Sequence, residues 1–404
     1  MKIAGIVAEY NPFHNGHAYH IEQTRSEDGQ GCGATHVVAV MSGNFVQRGQ
    51  PAIMLKSDRV QVALSGGVDL VLELPLPWAM ASAESFAYGA VSILDGLGCV
   101  DTLSFGSECG DTALLEKAVD SLESGNFSSL LHVYLDMGIS FPEARQRAIN
   151  EIAGNKIASL FESANNTLGI EYIKSLRRLG SSIKPYTIRR FGAGHDDDLP
   201  VGNIASASGI RTIIEAGRPE NAAPYLPPYV RGILHNALQN GRCPANIEMI
   251  ERGVLACLRL KSKEELASLP GISEGLENRL YQAIREAGSF SELIDRMKTK
   301  RYTYTRISRI IFAAFLGLTS NTEKLQPPYI RVLGTNERGA EILREAKGAK
   351  FPVVSRASRF DSLDEYSKRI FDTECRASDL YSLALPKPMQ CGLEFTNKII
   401  KECL

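Results

Sequence analysis

Two histidines three residues apart, His14 and His17, with Gly16 between them, stand directly after the apolar run Ile3-Ala4-Gly5-Ile6-Val7. Imidazoles at that spacing share one face at the start of a helix. There the ring donors and the unpaired backbone N–H groups point at an anion, and phosphate is the expected one. A second cluster, Ser206, Ser208 and Arg211, has hydroxyls at a helix start and an arginine one turn in, a second anion cradle. A third stretch, from Arg296 to Asn321, carries Arg296, Lys298, Lys300, Arg301, Arg306 and Arg309 with no acid, and Tyr302 and Tyr304 lie inside it. Cations for phosphates and rings for bases are the composition of an RNA contact, and they are equally that of a solvated helix face.

The elements that must position these groups follow from hydrophobic period and punctuation. The first apolar run is a buried strand. Asn11-Pro12 marks a turn and Asn15-Gly16 opens a helix. Thr35–Met41 reads as a second strand, ending in the polar, Gly-containing loop Ser42–Gly49. Lys56–Ser65 is a helix, Asp69–Leu74 a third strand, Trp78–Leu94 a helix and Val100–Phe105 a fourth strand that ends at Gly106. Helices follow at Asp111–Leu122, Pro142–Ala153 and from Asn165-Asn166 onward, and Ile183–Arg190 is a further strand ending in Arg189-Arg190. This alternation implies a doubly wound parallel sheet, with ligands expected beyond the carboxyl ends of its strands.

Beyond residue 217 the pattern changes to a proline-marked connector and then helices. The stretch Leu269–Leu280 resembles a helix–hairpin–helix turn, a binder of backbone phosphate, and reads equally as a helical connector. Tyr329–Thr335, Arg338–Ala346 and Phe351–Ser355 read strand, helix, strand, with a mostly helical tail. Two domains are expected, at 1–217 and 218–404, the second holding the basic stretch. In that stretch Ile307, Ile310, Ile311 and Phe315 would anchor one helix face.

Composition narrows the class. With 404 residues the chain can bury a sizeable core, and a net charge of −1 excludes blanket affinity for nucleic acid, so any RNA contact must be a local patch. No apolar run reaches bilayer length and no signal-peptide pattern opens the chain, so a cytoplasmic protein without a membrane partner is expected. The eight cysteines form no Cys-x-x-Cys pair and no zinc spacing, which points to free thiols and no metal site.

His14-x-Gly16-His17 resembles the His-x-Gly-His signature of nucleotidylyltransferases and class I aminoacyl-tRNA synthetases. Ser206–Arg211 resembles the Ser-Ser/Thr-x-Ile-Arg motif of the former. Together with the stretches 8–20, 41–52, 165–176, 189–195 and 301–309, the chain resembles the tRNA(Met) cytidine acetate ligase family over essentially its whole length. That resemblance implies a Rossmann-like nucleotidylyltransferase domain followed by a mostly helical one. It implies ATP, with Mg2+, and acetate as substrates, and acetyl-adenylate formation with release of pyrophosphate. The acceptor it implies is the wobble cytidine of elongator methionine tRNA, with no stable protein partner. The catalytic residues implied are His14 and His17. The ATP contacts are Val7, Ala8, Glu9, Tyr10, Asn11, Pro12, Phe13, Asn15, Gly16, His20, Gly106, Asn165 (chosen over Asn166), Arg189, Arg190, Ser206, Ser208 and Arg211. For tRNA the residues are Lys298, Lys300, Arg301, Tyr302, Arg306 and Arg309. Two other classes would use the same motifs: a small-molecule adenylyltransferase, and an RNA-binding protein with a regulatory nucleotide site.

Overall fold

In the computed structural model, residues 1–27, 31–190, 202–273, 275–299 and 302–402 are described. β1 (Ile3–Ala8) leads into α1 (Asn15–Arg25). β2 (His36–Ser42) leads through a small hairpin, β3 (Phe45–Val46) and β4 (Gln50–Pro51), into α2 (Lys56–Ser65). β5 (Leu70–Leu74) is followed by the single turn α3 (Leu76–Ala79) and by α4 (Ala83–Leu97). The helix expected over Trp78–Leu94 is thus broken, because Ser82 caps a new start by accepting the Ser85 N–H, and the helix runs on to Gly98, whose φ of 77° ends it. β6 (Thr102–Ser107) precedes α5 (Thr112–Leu122), α6 (Phe127–Asp136), α7 (Phe141–Ala153), α8 (Asn155–Ala158) and α9 (Ala164–Leu179), and β7 (Lys184–Arg189) precedes α10 (Ala207–Glu215).

These strands lie in the order β5-β2-β1-β6-β7, all parallel, so the chain winds outward in one direction from β1 and then returns to its other side at β6. The crevice between the carboxyl ends of β1 and β6 is therefore the switch point of the sheet, where open α/β folds take their ligands. Both faces are covered, as apolar strands require. Val38, Val40, Leu70 and Leu72 pack with α4, α5 and α9 on one side. Val37, Ala39, Met41 and Val71, their neighbours in sequence, pack with α1, α2, α10 and the next helix on the other.

A second layer of helices follows: α11 (Pro228–Gln239), α12 (Ile247–Arg259), α13 (Lys263–Ala267), α14 (Leu276–Glu286), α15 (Phe290–Met297) and α16 (Tyr304–Leu316). In α16 Ile307, Ile310, Ile311 and Phe315 are all buried, the anchoring face expected of it. The chain then comes back to the sheet as β8 (Ile330–Thr335), α17 (Glu337–Glu345), β9 (Val353–Val354), α18 (Glu365–Tyr381), α19 (Leu393–Thr396) and β10 (Ile400–Lys401). β8 pairs antiparallel with β5, so one edge of an otherwise parallel sheet is antiparallel, and β9 and β10 both pair with β8. Three strands beyond residue 217, β8, β9 and β10, thus join the sheet begun before it.

Buried charge ties the returning segment down. Lys56 of α2 reaches Glu73 of β5 and, at 2.7 Å, Glu394 of α19. Arg331 of β8 bridges the same two carboxylates at 2.9 and 2.6 Å. Glu374 of α18 accepts the Leu76 N–H, and burial, helped by Glu73, raises its pKa to about 8. Charges this deep persist only when they are paired, so the C-terminal residues hold a site assembled jointly with the N-terminal ones.

Candidate active site

The carboxyl ends of β1 and β2 are held by one side chain. Arg59, 1% exposed, donates to the carbonyls of Glu9 at 2.6 Å, Ser42 at 3.1 Å and Met54 at 3.2 Å, and also to that of Gly43. Beyond it Tyr10 adopts a φ of 47°, a left-handed conformation that a bulky residue keeps only when its surroundings impose it. Here they do, since Arg59 grips the carbonyl before Tyr10 and Arg211 Nη1 grips the one after it, Asn11 O, at 2.7 Å. Tyr10 and Phe13 form an aromatic floor under His17, with ring centroids 5.1 and 5.4 Å from it.

On that floor the two histidines cap α1 reciprocally. His14 Nδ1 accepts the Gly16 N–H at 3.0 Å, and His17 Nδ1 accepts the His14 N–H at 3.2 Å. A nitrogen that accepts holds no proton, so each neutral ring carries its proton on Nε2 and presents it as a donor. The rings stay neutral. Burial, with Arg190 and Arg211, brings His14 down to about 3, and burial, with His14 and Arg190, holds His17 well below the ordinary value. Burial and Arg190 lower His20 to about 4, and its Nε2 lies 3.1 Å from Ser104 Oγ.

These rings face a cavity of about 220 Å³ at the switch point. Val7, Ala8, Glu9, Tyr10 and Asn11 line it from β1 and the turn, and Gly106 from the end of β6. Asn165 and Arg190 line it from one side, and Ser206, Ser208 and Arg211 from the N-terminus of α10, where Ser206 Oγ accepts the Gly209 N–H. Gly16 and Arg189 line a smaller adjoining cavity that shares His14, His17 and Arg190. Three residues of the contiguous ATP stretch line neither. Phe13 is buried beneath His17, Asn15 Nδ2 ties α1 to Asn203 O and Pro224 O, and Pro12 follows a cis peptide bond in the turn. Asn165 rather than Asn166 meets the cavity. Glu108 holds Asn165 Nδ2 at 2.7 Å, while Asn166 is buried and accepts the Cys109 N–H.

The electrostatics suit a polyphosphate. Two guanidinium groups, Arg190 and Arg211, flank neutral imidazole donors, and the N-termini of α1 and α10 both open on the cavity. Burial lowers both arginines from their usual value, yet guanidinium remains charged at any physiological pH. Among the described residues no group of three His, Cys, Asp or Glu is placed to hold a metal ion. Val46, Gln47 and Arg48, in the loop after β2 where ligands were expected, line the cavity with Gln50, while sequence reasoning named no individual residue of this loop and missed Phe86, Phe105 and Tyr172. No signal in the sequence marked Phe86, Phe105 and Tyr172 as cavity residues.

The depressed histidines carry a stability consequence. Neutral in the fold and free to protonate once unfolded, they make the unfolded chain bind more protons below pH 6.5, so their contribution falls as pH drops from 6.5 toward 4. Between pH 7.5 and 5 the urea-unfolding free energy of the unmodified chain is therefore expected to fall further than that of His20→Gln, by on the order of 1 kcal/mol. Equal falls would mean that His20 is not held neutral.

The basic residues separate in the fold. Arg306 Nη2 donates to Gly271 O and Ser273 Oγ, both at 3.0 Å, and Arg309 Nη1 to Gln47 O at 3.3 Å. Lys298 is exposed and Tyr302 packs on the helical core. Lys300, Arg301 and the stretch 191–195 lie outside the described residues. No described helix is long and apolar enough to cross a membrane.

Comparison with known proteins agrees with this geometry. A model of the HIGH nucleotidyl transferase family matches residues 1–394. The tRNA(Met) cytidine acetate ligases of Acetivibrio thermocellus and Thermoanaerobacter sp. are 41% and 40% identical over 99% of this chain and 100% of their own. The crystal structure of apo Thermotoga maritima TmcAL has a TM-score of 0.94 at 36% identity, and that of the same protein bound with alpha-thio ATP has 0.92 at 34%, each covering 100% of both chains. The chain belongs to the HIGH nucleotidyl transferase family and, within it, to the tRNA(Met) cytidine acetate ligases.

Proposed function

We propose that the chain is an ATP-dependent ligase that activates acetate as acetyl-adenylate and transfers the acetyl group to N4 of the wobble cytidine of elongator tRNA(Met). The observation that carries this reading is the reciprocal histidine cap, which aims two neutral Nε2–H donors into a cavity flanked by Arg190 and Arg211. An acetate oxygen attacks the α-phosphorus, and the bond to the β-phosphate breaks as pyrophosphate departs with its electron pair. The imidazoles meet charge that grows on the α-phosphate in this step, where preorganised donors act most strongly. Ser206, Ser208 and Arg211 hold the departing phosphates, and Mg2+ brought in with the nucleotide would offset part of their charge. In the second step the cytidine N4 attacks the acetyl carbon, the bond to AMP breaks, and N4 sheds a proton.

Purified protein given ATP, labelled acetate and tRNA should place label in N4-acetylcytidine after nuclease digestion, with all three components required. Label in a dinucleotide product, or pyrophosphate release that ignores acetate, would overturn the assignment.

The cations Lys298, Lys300 and Arg301, which precede α16 in the sequence, are assigned to the tRNA backbone. Arg306 is excluded from the test because it bonds the turn at Gly271. Changing Lys298, Lys300 and Arg301 together to alanine is expected to leave pyrophosphate exchange intact and to make the slope of log affinity against log salt shallower by about two units. An unchanged slope would remove these residues from the interface.

A further inference from the structure

A second cleft, of about 820 Å³, lies between the start of α4 and α16. We infer that it seats the RNA strand that carries the acceptor cytidine, alongside the cavity that makes the adenylate, an inference that rests on the ligase reading above. Three observations carry it.

The first is position. Arg309 lines this cleft, and its guanidinium bonds Gln47 O, while Gln47 lines the ATP cavity, so this contacting pair stands between the two spaces. The β3–β4 hairpin that carries Gln47 lies directly on α16. Ser308 Oγ donates to Gly49 O at 2.5 Å, and Gly49 has a φ of 73° with space for a Cβ blocked 2.4 Å away by Arg309 N. On the other side the first turns of α4 separate the spaces: Ser85 and Tyr88 line the cleft and Phe86 the cavity.

The second is charge. Arg178, Arg306, Arg309 and Lys324 line the cleft against Glu84 and Glu323, an excess of cations in a chain whose net charge is −1. Glu84 is partly neutralised by Lys174 at 3.6 Å.

The third is shape. The cleft falls within the roughly 300–1,000 Å³ range of sites that enclose a small ligand. It presents flat stacked groups, with Arg178 4.0 Å from the centroid of Tyr88 at the cleft and Arg306 5.0 Å from that of Tyr302 beside it. The Pro270-Gly271 turn, in the stretch that resembles a helix–hairpin–helix, forms part of its rim. A base that must be modified at its exocyclic amine has to leave its stack, and a cationic cleft with planar groups, set against the wall of the reactive cavity, suits such a strand.

Two variants away from the ATP cavity test this. Ser85→Trp fills the cleft, and Arg178→Glu with Lys324→Glu reverses charge at two exposed positions. Both are expected to keep acetate-dependent ATP–pyrophosphate exchange within twofold of the unmodified protein. Acetyl transfer to tRNA should fall at least 30-fold in the first, and the tRNA dissociation constant should rise at least tenfold in the second. If both variants acetylate tRNA at the unmodified rate, the strand is seated elsewhere. If the unmodified protein itself neither exchanges pyrophosphate with acetate nor labels tRNA, it is the ligase reading that fails.

Discussion

Alanine in place of His17 is expected to slow acetate-dependent ATP–pyrophosphate exchange by at least about 100-fold while changing the dissociation constant for ATP by less than about fivefold. The reason lies in what the ring donates to. Its Nδ1 is committed to the His14 N–H, and burial keeps it uncharged, so it attracts the ground-state triphosphate only as a dipole. The same donor gains strength as charge accumulates on the α-phosphate, and that gain appears in turnover. His14→Ala is expected to behave alike, with an added loss of about 1 kcal/mol of stability because it removes an N-cap. Proportional losses in ATP affinity and turnover would instead describe two residues that merely bind.

Arg211→Ala is expected to weaken ATP by at least about 30-fold and AMP by no more than about threefold. Arg211 lines the cavity beside Ser206 and Ser208, one turn into α10, and the function proposed above gives its charge the phosphates that AMP lacks. Its bond to Asn11 O also steadies the left-handed turn at Tyr10, and this accounts for the small loss allowed to AMP. Lysine should restore little, because one ammonium cannot both hold that carbonyl and meet a phosphate bidentately. Isothermal titration of the two nucleotides decides the matter: equal losses would place Arg211 in the service of the turn alone.

The parts of the site legible in the sequence are those built by neighbours in the chain. His14, Gly16 and His17 follow a strand and a turn within a dozen residues, and Ser206 to Arg211 is a single helix start, so type and spacing suffice to read them. Within the first motif, neighbours in the chain take different places. Phe13 and Asn15 sit between cavity residues yet point into the core and toward the connector, because successive residues of a turn face different ways. The choice between Asn165 and Asn166 is made by Glu108, 57 residues away, whose carboxylate takes the backbone N–H of both and the side chain of one. The hairpin at Gly49 consists of two-residue strands that no hydrophobic period can reveal, and it is held by α16 from far along the chain. Ile330–Thr335 is readable as a strand, but its partner is not. Pairing with β5 depends on the ion cluster that joins Arg331 to Glu73 and Glu394.

The central claim is that this cavity makes acetyl-adenylate, and isotope exchange between pyrophosphate and ATP reads that step alone. With purified protein, ATP and labelled pyrophosphate in the absence of tRNA, label should enter ATP only when acetate is present, saturate with acetate, and enter at least about 100-fold more slowly in His17→Ala. Exchange that proceeds at the same rate without acetate, or that keeps the unmodified rate in His17→Ala, would contradict the account.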